Sequence, residues 1–111
     1  MPIVSEALAQ SAFDYMDTQG DCAAQATADA IIAEFRKKKA YAAVVRASDE
    51  KTIAMKEYEA DGHPDYEEAV IVFAQAQAEV ERHKHNRKRA EAIIEAWRTS
   101  QANERGLRRI G

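Results

Sequence analysis

Two basic runs hold the side chains with the clearest chemical potential. "RKKK" spans Arg36 to Lys39, and "RHKHNRKR" sets Arg82, Lys84, Arg87, Lys88 and Arg89 among His83 and His85. Clustered Lys and Arg suit phosphate, because each brings a full positive charge and several hydrogen-bond donors. The histidines raise metal ligation as a second chemistry. On a helix, however, residues two apart point roughly 200° apart, so His83 and His85 are wrongly placed to share an ion. His63 stands in a turn, and no Cys or acidic cluster completes a ligand set. No metal and no cofactor is therefore expected. Catalysis has as little support: there is no Gly-rich phosphate loop, no Ser/His/Asp set in recognisable context and no carboxylate pair in a cleft. The expectation is a protein that is not an enzyme and has no catalytic residue.

The net charge of −3 conceals an asymmetry. From Met1 to Phe35 there are six acids and no Lys or Arg, whereas Arg82 to Arg89 holds five Lys/Arg and no acid. Arg98 to Arg109 adds four Arg against one Glu. Local sign governs partner choice more than the total does. The single cysteine, Cys22, precludes an internal disulfide and fits a reducing compartment. No apolar run approaches the roughly 20 residues that cross a bilayer. The N-terminus also lacks the basic-then-apolar order of a signal peptide. The expected setting is a bacterial host cytoplasm, away from membranes.

The elements that must position these side chains are helices. Ala, Glu, Lys, Arg and Gln dominate, with only four Gly and two Pro in 111 residues. A short helix is expected over residues 4–16, where Val4, Leu8, Ala12 and Tyr15 recur at helical spacing; "DTQGD" ends it, and Asp21 suits the next N-cap. The second helix is expected over 22–59. Ala24, Ala28, Ile31, Phe35, Ala42, Val45 and Thr52 would line its buried face, and Ser48 to Glu50 marks its weak point. "DGHPD" then breaks the chain, with Gly62 at a C-terminus, Pro64 in a first turn, and Asp65 with Glu68 as a capping box. The third helix is expected over 65–103, followed by a basic tail over 104–111. Its seven-residue register reads Tyr66, Phe73, Val80, Arg87, Ile94 and Gln101, with Ala69, Ala76, His83, Ala90 and Trp97 three positions on. Alanines alternating with large residues let a second helix approach closely. The fold expected is all-α: one domain over 1–111, a long antiparallel helical hairpin plus a short N-terminal helix. Two helices alone make a thin body, so a homo-oligomer is expected.

Folding the hairpin about Gly62 and His63 would set residue i beside a residue near 125 − i. Arg36, Lys37, Lys38 and Lys39 would then meet Asn86 to Arg89 in one basic belt, which reads either as a phosphate-contacting surface or as a solvated waist. The register turns His83, Arg87 and Lys38 inward, where buried charge needs partners, with Asp29 and Glu34 of a neighbouring protomer as candidates. Trp97 either closes the core against the first helix or, with Arg98 and Arg105, anchors a partner.

The stretch "KRAEAIIEAWRTSQANERG", Lys88 to Gly106, resembles the C-terminal part of small helical proteins encoded by phages and prophages. "KKKAYAAVVRASDEKTIAMKEYEA", a turn and "DYEEAVIVFAQAQAEVERHK" are similar upstream, so the resemblance covers residues 35 to 106. The hairpin with basic patches also resembles recombination-mediator proteins. The acidic N-terminal segment has no counterpart in that pattern. The resemblance implies an accessory role in DNA recombination or replication, with single-stranded DNA or a recombinase as partner. The basic belt would carry the anion contact. The alternative is a phage anti-defence (anti-CRISPR-type) inhibitor that binds a host defence protein, to which the acidic N-terminal segment is suited. A structural helical oligomer is a third reading.

Overall fold

A computed structural model describes residues 4–110 of the chain; residues 1–3 and Gly111, the last residue of the expected tail, lie outside the described residues. Four helices follow one another: α1 (Glu6–Thr18), α2 (Gly20–Ala47), α3 (Ile53–Asp61) and α4 (Pro64–Ile110), and no strand occurs among the described residues. The fold is all-α, as the composition predicts.

Each helix end has a local cause. Ser5 is extended (φ −68°, ψ 152°) and its hydroxyl oxygen accepts the Leu8 N–H at 3.1 Å, an N-cap for α1. Gln19 closes α1 by donating its N–H to the Tyr15 carbonyl. Gly20 then opens α2 directly, and Asp21 stands in the first turn rather than at the cap. No glycine adopts a positive φ among the described residues, so this junction uses no left-handed residue.

The second helix is where the sequence expectation fails. A continuous helix over 22–59 is replaced by α2, an irregular stretch over 48–52, and α3. Ser48 competes for backbone donors: its hydroxyl oxygen accepts the Glu50 N–H at 3.2 Å and its proton goes to the Glu59 carboxylate. Thr52, expected on a buried face, is the α3 N-cap and accepts the Met55 N–H at 3.2 Å. Ahead of α4, the Asp65 N–H is taken by His63 Nδ1 at 3.1 Å, so His63 replaces the expected Asp65 cap, while Pro64 sits at the first helical position as predicted. The expected tail over 104–111 is helical as far as Ile110.

The chain forms two compact units, Met1–Ala23 with Arg82–Gly111, and Ala24–Glu81. In the second of these, α2 and the first part of α4 run antiparallel: Ala26 and Ala30 pack with Val80 and Ala76, Lys37 lies on Phe73, and Tyr41 meets Tyr66 edge-on at 5.1 Å. Ala60 of α3 is wholly buried. In the other unit α1 lies along α4. Ala12, Ala90 and Ile94 form its core, flanked by Phe13, Tyr15, Met16 and Ile93. Phe13 stands edge-on to Trp97 at 5.9 Å, and the Tyr15 hydroxyl donates to the His83 carbonyl at 3.4 Å. Both interfaces rest on alanine, which lets helix axes come close.

The buried face of α2 is not the expected one. Ala26, Ala30, Ala33 and Val44 are buried, whereas Ile31 and Phe35 are 64% and 65% exposed. Along α4 the predicted register survives with one exception: Arg87 is exposed and the half-buried position falls to Asn86.

Candidate anion-binding surfaces

The hairpin register differs from the one on which the expected belt rests. Lys37, predicted beside Lys88, has its ammonium over the Phe73 ring, 4.5 Å from the centroid and fifteen positions earlier (73 against 88). The cause is the break after Ala47: residues 48–61 form the connection and α3 instead of lengthening α2. Arg36 to Lys39 belong to one unit and Arg82 to Arg89 to the other.

On α2 the four cations are consecutive. At about 100° per residue they point to four sides of the helix. Lys37 turns toward α4 and is half-buried, while Arg36, Lys38 and Lys39 are exposed. Lys38 was expected inward, but its ammonium pairs with Glu34 of its own helix at 3.5 Å. A run that radiates in this way presents no single charged face.

On α4 the spacing is better suited to an anion. The α1-facing line runs through His83, Asn86 and Ala90, which are half-buried or buried. Lys84 and Lys88 stand one turn apart on the opposite side, and Arg82, His85 and Arg89 form the adjoining line, all exposed. Arg82 to Arg89 covers about 10 Å of axis at 1.5 Å per residue. Arg87 leaves this group: it was expected inward, and instead its guanidinium Nε donates to Glu91 at 3.1 Å on another side of the helix. Lys88 and Arg89 have no carboxylate partner among the described residues. Arg89 also borders a groove of about 220 Å³ lined by Leu8, Tyr15, Asn86 and Ile93. Sequence reading did not assign His85 to this surface; its i, i+3 spacing from Arg82 was the available signal.

Trp97 is half-buried against Phe13, so it closes the core on α1, one of its two predicted roles. Arg98 and Arg105 are exposed, and Arg108 pairs with Glu104 at 2.8 Å. Among titrating groups, Tyr41 stands out. Desolvation, then the charges of Asp61 and Glu57, then neighbouring Tyr66 and a hydrogen bond to Asp61 hold its phenol above the ordinary value.

Among the described residues no three His, Cys, Asp or Glu side chains converge to hold a metal ion, and no helix is long and apolar enough to cross a membrane. Comparison with protein-family models, with curated proteins and with solved structures finds no match for the chain.

Proposed function

We propose that this chain is a non-enzymatic accessory protein of phage or prophage origin that binds the backbone of single-stranded DNA in recombination or replication, alone or with a recombinase. One observation carries the reading: two adjoining lines of α4, Lys84 with Lys88 and Arg82 with His85 and Arg89, are exposed within about two turns. Among the described residues Lys88 and Arg89 lack the carboxylate partner that Lys38 and Arg87 each have. Backbone contact needs no base-stacking platform, and none is built into this face.

The test is fluorescence anisotropy with a labelled oligothymidine across a salt series. With four cations engaged, log K should fall against log salt with a slope of about −3. Lys88→Glu with Arg89→Glu should weaken binding at least about tenfold, while Lys51→Glu, an exposed change outside the helices, should do little. Equal loss from both variants, or no binding at low salt, would sink the reading.

The acidic α1 favours a second reading, the anti-defence inhibitor. Glu6, Asp14 and Asp17 are all exposed on the side of α1 away from its core. In that case the protein should stoichiometrically displace DNA from a bacterial nuclease. Replacing these three acids by Asn or Gln should abolish the displacement, and α4 variants should leave it unchanged.

A further inference from the structure

The outward side of α2 carries a stripe that is exposed along most of its length. Ala24, Ala28, Ile31, Phe35, Lys38 and Ala42 are all exposed, and Val45, half-buried, continues the line. Their spacing alternates four, three, four, three, four, three along the helix. That is the 3.5-residue period that keeps a seam facing another helix, not the mark of a small-molecule site. The stripe is also symmetric about the level of residue 33. Reversing the helix there places Ile31 opposite Phe35, Ala28 opposite Lys38 and Ala24 opposite Ala42. Each of the six exposed seam residues then meets another of the six.

Charge selects the orientation. The first half of α2 carries Asp21, Asp29 and Glu34 without a cation, and the second half carries Arg36 to Lys39 and Arg46 without an acid. A parallel pair would set Lys38 against Lys38 and each cationic run against its copy. An antiparallel pair sets the acidic half of one helix against the basic half of the other. It also brings the Lys38 stem over Ala28, a small residue beside Asp29. Ile32, 46% exposed, extends the apolar area toward a groove that it shares with Ala33, Arg36, Val72 and Ala76.

We propose that this face of α2 binds a second copy of the chain, in an antiparallel two-fold pair centred at the level of residue 33, with Ile31 and Phe35 of each copy interleaved. The occupant is a second copy because the seam is complementary to itself in shape and in charge.

The experiment uses the full chain with Cys22→Ser, so that the exposed native thiol takes no part. Sedimentation equilibrium should give twice the chain mass of 12.4 kDa as concentration rises. Phe35→Glu should return the chain to a single copy with its helical circular dichroism intact, since Phe35 is 65% exposed and lies outside both core clusters. Orientation is read by oxidising cysteine variants. A mixture of Ala28→Cys and Lys38→Cys chains should form the mixed disulfide, and Ala28→Cys alone should not cross-link. A single-copy mass at every concentration, a pair that survives Phe35→Glu, or cross-linking of Ala28→Cys to itself would each overturn the proposal. DNA binding by the α4 face is measured separately, and neither result depends on the other.

Discussion

Lys37 shows how far the setting of one side chain decides its use. It belongs to the most basic run of α2, yet its ammonium lies over Phe73, where the ring's electron-rich face attracts it. Lys38, one residue on, is held by Glu34, an exposed pair worth only a few tenths of a kcal/mol. Tyr41 sits nearby, with Asp61 and Glu57 raising its phenol above 10 once desolvation has begun to do so. The folded chain therefore keeps the Tyr41 proton longer than the unfolded chain does. The stability this contributes is whole below about pH 10 and is lost as pH rises through the higher folded value. Chemical denaturation from about pH 9 to 11 should show wild type losing stability faster than Tyr41→Phe; parallel curves would refute the linkage. Trp97 is the other residue with a defined burden. It is the ring against which Phe13 of α1 rests, and it is only half-buried. Trp97→Ala should cost about 2 kcal/mol, somewhat below the range for a fully buried ring. Amide exchange should then speed up in α1 before it does in α3.

Helix termini decide the register at the scale of elements. Ser48 and Thr52 each turn a side-chain oxygen to a backbone N–H, and the chain leaves the helix between them. If α2 continued to residue 59, the basic runs would share one level; because it ends at Ala47, Lys37 meets Phe73. Thr52→Ala removes the α3 cap and should destabilise the protein by about 1 kcal/mol, whereas Thr52→Ser should be close to neutral. Urea denaturation measures both, and an unchanged midpoint for the alanine variant would show that the cap contributes nothing. The elements also explain why the buried face of α2 was misassigned. The line Ala24, Ala28, Ile31, Phe35 is a true helical stripe, but a stripe identifies a face without saying what covers it. The alanine line beside it lets α4 approach more closely and won the intramolecular contact.

At the scale of the molecule, no large side chain among the described residues is fully buried, and the buried set is mostly alanine with Val44, Val80 and Ile94. Composition alone determined the all-α class: with so much alanine and so little Gly and Pro, the chain favours helix nearly everywhere. The seam of α4 was legible for the same reason, since one helix long enough to repeat its pattern many times fixes its own inward line. The turn at Gly62 to Pro64 and the placing of Trp97 against α1 were legible too, the first from backbone chemistry and the second from the only tryptophan on that seam. Tertiary structure alone decided which basic residues share a face. That depends on the phase and length of two separate helices, and a break of five residues in one of them moves every cross-helix pairing. It also decided which apolar stripe of α2 meets α4. Both stripes have helical spacing, and only the close approach of two helix axes separates the alanine face from the face of Ile31 and Phe35.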